Sequence, residues 1–338
     1  MKEVDKEKYL GDIVDKTGSI DATIQSRKSK GQGIITGIMS ILTEIPLGRH
    51  KMDTAMKLRE VMLINGILYN SEAWHGVTQK NIKTLQSIDE DFLRRIMKAH
   101  GKTPTEFLYL ETGALPIQWI IAQRRINFLK CLLSKDSNEL VRKVLEAQRT
   151  DPTSGDFIKL VEKDMLDLNV TWEQVEKSSK DELKKILKTN ATIAGLTALK
   201  HKQVKHKKIK HIKYESLRLQ PYLRSPVIQQ EEAQTISALR SKCVRTVRTN
   251  FSKMYKNRIH CPLQCNKEAP QVDTQEHLLT CSKIKIQNPK NIRIQDVFED
   301  LKNQEHVGIL ISKILRERTR LLELETSLPG AILGQSAL

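Results

Sequence analysis

Three of the five cysteines in this 338-residue chain fall within 21 residues, with a histidine among them. Cys261-Pro-Leu-Gln-Cys265 is followed, after eleven residues, by His277-Leu-Leu-Thr-Cys281, a C-x3-C-x11-H-x3-C pattern. Thiolate sulfur and imidazole nitrogen are the usual donors to zinc, and four of them complete a tetrahedron. Each short pair presents two ligands to one ion, and Pro270, Asp273 and Thr274 suit a turn between the pairs. With all four positions filled, no place is left for a catalytic water. The spacing therefore predicts a structural Zn2+ site that supplies most of the module's folding energy. His260 adjoins Cys261 and competes as a ligand. The plainer alternative is a chance cluster of buried Cys and a surface His.

The segment before the cysteines is the most basic part of the chain. Residues 199–260 carry sixteen Lys/Arg against three Glu, within a net charge of +17. Such a stripe can neutralise several phosphates at once, so nucleic acid, RNA or DNA, is the expected partner. The candidate contacts are Lys200, Lys202, Lys205, Lys207, Lys208, Lys210 and Lys213, then Arg240, Lys242, Arg245 and Arg248. A solvated lysine-rich linker is the competing reading. Aromatic content is only 4%, which argues against an extended base-stacking platform. Tyr214, Tyr222 and Tyr255 are the stacking candidates in this region, whereas Trp74, Trp119 and Trp172 read as core. His201, His206 and His211 read as solvent-exposed.

Cys131 and Cys243 sit in helical patterns and read as buried thiols, which fits a reducing, intracellular setting, nuclear or cytoplasmic. The charged start, MKEVDKEKYLGD, carries no leader pattern, and no apolar run is long enough to span a membrane.

These residues need a scaffold, and its pattern is mainly α. KYLGDIV reads as a strand and DKTG as a turn, the one hairpin pattern. Helical faces follow at Ile34, Ile35, Ile38, Ile41 and Leu42, then at Met52, Met56, Met62, Leu63 and Ile67. A third helix carries Ile82, Leu85, Ile88, Phe92, Leu93 and Ile96, with Thr78 as N-cap. Helices are expected from Pro116 to Leu133, Asp136 to Arg149, Phe157 to Leu168 and Trp172 to Lys188. Ile236, Leu239, Cys243, Val247, Phe251 and Met254 form the apolar stripe of a basic helix leading into the zinc site. Two further helices follow the cysteines, ahead of a frayed tail.

KYLGDIVDKTGSI, with INGILYNSEAWHGVTQKNIKTLQSIDEDFLRRIM, resembles the C-terminal part of non-LTR (LINE-type) retrotransposon reverse transcriptases. LRSKCVRTVRTNF and CPLQC…DTQEHLLTC look like the basic helix and CCHC knuckle that follow the thumb in several such elements. The likeness covers most of residues 8–285. It implies that Tyr9, Leu10 and Gly11 mark the end of the palm and that Leu68 to Trp74 lie in the thumb. It divides the chain into a palm-end hairpin remnant (1–30), a thumb-like helical bundle (31–133), a helical linker (134–198), a basic nucleic-acid-binding segment (199–258), a CCHC knuckle (259–285), C-terminal helices (286–325) and a flexible tail (326–338).

The family's polymerase depends on an Asp-Asp pair holding two metal ions, and no Asp-Asp dipeptide occurs in this chain. Asp89-Glu90-Asp91 reads as a solvated helix face. A nuclease of the restriction type would need a Pro-Asp and a carboxylate-x-Lys. No Pro-Asp is present, and Asp300-Leu301-Lys302 alone is a common triplet. The expectation is a nucleic-acid-binding C-terminal fragment without its own polymerase site. The alternatives are the accessory tail of a complete RNA-directed DNA polymerase whose palm lies upstream, and a helical protein-interaction scaffold.

Overall fold

The computed structural model describes residues 5–9, 11–45, 51–153, 156–244, 260–266, 268–288 and 291–327. The fold is mainly helical, with one small antiparallel hairpin at the N-terminal end.

The hairpin differs from its expected form. KYLGDIV is not one strand but two, β1 (Lys6–Tyr9) and β2 (Asp12–Asp15), paired from Lys6↔Asp15 to Tyr9↔Asp12. Gly11 sits at φ +90°, which only glycine adopts cheaply, so the chain reverses within the motif. Asp12 then anchors the hairpin to the helices. It takes a hydrogen bond from Arg27 Nη2 at 2.6 Å and one from Asn70 Nδ2 at 3.2 Å.

Helix α1 (Asp21–Glu44) packs on a helical run formed by α2 (Lys51–Leu58), a π-helical stretch (Arg59–Ile64) and α3 (Asn65–Ile67). Helix α4 (Gln79–Ile96) starts at Thr78 as expected. The Thr78 hydroxyl accepts from Asn81 N–H, and the Asn81 side chain accepts in return from Thr78 N–H, at 3.2 and 2.8 Å. Helix α5 (Thr105–Thr112) ends at Gly113, and α6 (Ile117–Leu133) follows within the bounds its sequence pattern gave. Ile24, Ile35, Leu63, Leu85, Phe92, Phe107 and Ile117 are among the buried side chains of this first core.

Asp89 overturns one expectation. It is fully buried, not solvated. Arg59 Nε and Nη2 each donate to one of its carboxylate oxygens at 2.6 Å, and the Tyr109 hydroxyl donates at 3.0 Å. Burial works against the Arg59 charge, but Asp89 outweighs it and holds the guanidinium above its ordinary pKa.

A second core lies between the C-terminal half of α6 and four further helices: α7 (Leu140–Thr150), α8 (Phe157–Asp167), α9 (Trp172–Lys177) and α10 (Lys180–Gln203). Ile126, Leu129, Ile158, Val161, Val175, Leu183 and Leu187 fill it, with Trp119 and Trp172 partly buried against it. The helix expected over Trp172–Lys188 is split. Ser179 caps a new helix, exchanging hydrogen bonds with Glu182, and that helix continues to Gln203. Trp74 is buried in the first core. Cys131, expected inside, is exposed.

The third core contains α11 (Gln230–Arg240), α12 (His277–Thr280) and α13 (Leu301–Ser327). Ile236, Leu239, Leu263, Leu278, Val297, Val307 and Ile311 belong to it. Leu263 and Leu278 lie within the two halves of the CCHC pattern, so the knuckle shares its apolar core with two long helices. Where a single helix was expected to run into the cysteines, α11 ends at Arg240, and Ser241 to Val244 are not helical. Val247, Phe251 and Met254 of the expected stripe lie outside the described residues, as does the tail beyond Ser327. No helix among the described residues is long and apolar enough to cross a membrane.

Candidate metal centre and cationic surface

The two halves of the CCHC pattern converge. The ligand atoms of Cys261, Cys265, His277 and Cys281 all lie within 4.8 Å of one another. Cys261 Sγ is 3.8 Å from Cys281 Sγ, and Cys265 Sγ is 3.4 Å from His277 Nε2. A disulfide would need about 2.05 Å between sulfurs. A tetrahedral ion with bonds of about 2.3 Å to sulfur and about 2.1 Å to imidazole sets these pairs about 3.8 and 3.6 Å apart. The donor set thus has the chemistry and the spacing to hold a metal ion such as zinc. His260, the competing ligand, is exposed and not one of the clustered four.

Local structure aims each ligand. Cys261 N–H donates to Gln271 C=O at 2.8 Å, beside a bridge between His260 and Val272. Gln264 N–H closes a turn onto Cys261 C=O at 3.1 Å, with Gln264 at φ +46°, and this brings Cys265 back beside Cys261. His277 opens the single turn of α12 and Cys281 follows it as the C-cap, four residues on, so the turn brings the two side chains to one side. The hydroxyl of Thr274 accepts from His277 N–H at 3.2 Å. Burial pushes the Cys261 and Cys265 thiols up, and each is raised further by its neighbouring thiol. Burial pushes His277 down, with Arg318 acting in the same direction and Asp273 against it. Without a cation Cys261 and Cys265 therefore hold their protons more tightly, while the His277 imidazole gives its proton up more readily.

One buried pair that sequence reasoning missed holds the knuckle in place. Arg318 Nη2 on α13 donates to Asp273 Oδ2 at 2.6 Å, and both residues are buried. Gln275 Nε2 also donates to Leu239 C=O at the end of α11, at 3.3 Å. Nothing in the spacing of Asp273 and Arg318, 45 residues apart, announces the contact.

The lysine-rich segment is built on an apolar base. Gln203 at the end of α10 is buried and donates to Ile209 C=O and Ile212 C=O, each at 2.7 Å. Ile209, Ile212 and Tyr214 turn into the first core. Lys200, Lys202, Lys205, Lys207, Lys210 and Lys213 face outward and are exposed. Among the described residues, no carboxylate pairs with any of the six. Lys208 is half-buried, with Nζ 3.3 Å from Cys243 Sγ. Lys242 is exposed, in the turn after α11.

Other expected contacts are displaced. Arg240 is buried and faces Glu111 of α5, so it is not available to nucleic acid as it stands. Its Nε and Nη2 donate to Glu111 Oε1, each at 3.0 Å, and Nη1 donates to Val297 C=O at 3.2 Å. Tyr214 and Tyr222 are buried rather than free to stack, and the Tyr214 hydroxyl donates to Glu111 Oε1 at 2.5 Å. Burial and then the Glu111 charge push both phenols well above their ordinary range. Arg245, Arg248 and Tyr255 lie outside the described residues. His201 is exposed, His206 is 3.1 Å from Glu106 Oε2, and His211 packs edge-on to Phe298.

Gly113 explains how the basic segment reaches α5. It adopts φ +69°, and a Cβ there would lie 2.4 Å from the Arg218 backbone. That close approach allows the Thr112↔Leu219 bridge and a hydrogen bond from Gln220 N–H to Glu111 C=O at 2.9 Å. No family model, curated protein or solved structure matches this chain.

Proposed function

We propose that the chain binds nucleic acid through the phosphate backbone, with a structural Zn2+ in the CCHC centre holding the C-terminal core. The observation that carries this reading is the row of six exposed lysines between Lys200 and Lys213, without a carboxylate partner among the described residues and mounted on buried Ile209, Ile212 and Tyr214. The fixed backbone beneath them need not be ordered on binding, so only the lysine side chains lose freedom on meeting phosphates. The resemblance to the C-terminal region of LINE-type reverse transcriptases points the same way and names RNA or DNA as the partner. In this reading the chain has no polymerase site of its own, since it contains no Asp-Asp pair.

Filter binding of zinc-loaded protein to duplex RNA and duplex DNA across a salt series tests the proposal. About six neutralised phosphates give a slope near −5 for log affinity against log salt on DNA. Absence of binding at low salt removes the reading.

The scaffold reading has one observation of its own. Leu140, Val141 and Val144 on α7 are exposed, Leu140 at 77%. Loss of nucleic-acid binding in the titration would leave that reading in place. The polymerase-tail reading gains if reading-frame sequence upstream of Met1 encodes a palm with an Asp-Asp pair.

A further inference from the structure

A cleft of about 890 Å³ lies between the first core and the third, away from the CCHC centre. One wall comes from α1, α2 and the end of α4, through Met39, Leu42, Met52, Ala55, Ile96 and Met97. The other comes from α11 and the segment leading into it, through Tyr222, Leu223, Val227, Ile228 and Ala233. Leu42, Ala55, Ile96 and Met97 are buried, Met39 and Met52 are half-buried, and Val227 is 64% exposed. Apolar clefts of this size at the seam between packed units are where proteins take small ligands. Unbranched methionines let such walls adjust to a guest.

The polar groups on the lining restrict the guest. Lys51 and Lys98 are among them, and no carboxylate of the described residues pairs with either. Arg95 is held by Asp91 at 2.9 Å, and the one carboxylate on the lining, Glu231, lies 4.0 Å from Arg316. Gln234 Nε2 is a buried donor with no hydrogen-bond partner among the described residues. The unmatched charges are thus both positive, and the unmatched amide needs an acceptor. The walls are also fixed before anything binds. Arg224 Nε donates to Asp53 Oδ1 at 2.8 Å and ties the segment before α11 to α2. The Ser225 hydroxyl donates to Glu305 on α13 and accepts from Val227 N–H at 3.1 Å.

We propose that this cleft takes one amphiphilic carboxylate of the fatty-acid class. Its chain lies along the methionine wall, and its head group meets Lys51 and Lys98. A fully polar anion would leave the apolar walls wet, and a neutral hydrocarbon would leave both cations and the amide unmatched. The site is separate from the lysine row and the metal centre, and it does not rest on the nucleic-acid reading.

The test titrates the full chain with dansylaminoundecanoate, whose fluorescence rises in apolar surroundings, and then displaces it with competitors kept below their micelle-forming concentrations. Saturation at one molecule per chain is expected. Dodecanoate should displace it, and decanoate should need about tenfold more, since each buried methylene adds to the affinity. Dodecyltrimethylammonium should be about tenfold weaker than dodecanoate. Lys51→Gln with Lys98→Gln should weaken dodecanoate about fivefold and leave dodecanol unchanged. Ala55→Phe should fill the cleft and abolish uptake; if circular dichroism shows that it does not fold, Val227→Asp, on an exposed wall position, should weaken dodecanoate about tenfold. No saturable uptake, equal displacement by the cationic and anionic chains, or unchanged binding in Val227→Asp overturns the site. Flotation of the chain with phosphatidylserine vesicles, without uptake of the free acid, overturns its assignment to a detached molecule.

Discussion

Arg240→Met separates two roles for one residue. If Arg240 contacts phosphate, its loss lowers the salt slope of binding by about one and leaves stability alone. The structure assigns the opposite outcome. Arg240 is buried against a fully buried Glu111, with two hydrogen bonds to one carboxylate oxygen and a third to Val297 C=O. Burial works against the guanidinium charge, but Glu111 outweighs it and raises the Arg240 pKa. Removing it leaves the Glu111 carboxylate inside the protein, met by the Tyr214 hydroxyl but without its arginine partner. An uncompensated buried charge of this kind costs about 3–5 kcal/mol.

Urea titration followed by circular dichroism gives the stability change, and a salt series gives the slope. Arg240→Met is expected to lose about 3–5 kcal/mol while the slope stays within about half a unit of the unaltered protein. Adding Glu111→Gln removes the stranded charge and should recover about 1–3 kcal/mol. The reasoning fails if Arg240→Met costs under about 1 kcal/mol, or if the double variant is less stable than the single one.

Three other outcomes follow from the same geometry. Arg318→Met leaves buried Asp273 without its 2.6 Å partner and should speed metal loss to a chelator, measured with a chromogenic zinc dye; an unchanged rate would show that the clamp does not hold the knuckle. Zinc uptake near neutral pH should release at least about two protons, because raised Cys261 and Cys265 keep theirs until the ion arrives while His277, lowered by burial, contributes none. Affinity must therefore fall as pH falls, and calorimetry in buffers of different ionisation enthalpy counts the protons; release of fewer than about two contradicts the assignment. Lys205→Ala, Lys207→Ala and Lys210→Ala together should reduce the salt slope by about three with no change in thermal midpoint, and a fall in midpoint would mean these lysines serve the fold.

What could be read from the chain was local. The CCHC ligands announce themselves because four chemically matched residues sit at short spacing. Thr78 announces the start of α4 because an N-cap and its partner Asn81 are three residues apart. The bounds of α6 follow from Pro116 and a regular apolar period. The failures over charged residues were long-range. Asp89 looked solvated because its neighbours are Glu90 and Asp91, yet its partner Arg59 is 30 residues away. Arg240 looked like part of a basic surface, yet Glu111 is 129 residues away. Charge pairing across a fold leaves no periodic trace, so a residue type alone does not separate a buried ion pair from an exposed contact. The hairpin was misread for a local reason: alternation in KYLGDIV hid a reversal that Gly11 permits.

The lysine row and the metal centre lie apart in sequence, but packing couples them. The knuckle is tied to α13 by Asp273–Arg318 and to the end of α11 by Gln275. The end of α11 is tied to α5 by Arg240–Glu111. The turn after it touches the lysine segment through Cys243 and Lys208, and His211 of that segment packs on Phe298 just before α13. The hydrogen-bonded links are buried or half-buried, so a change at one end bears on the next rather than fading into solvent. A metal ion held by the four clustered residues would therefore bear on α11 and α13 as well as on its own loop.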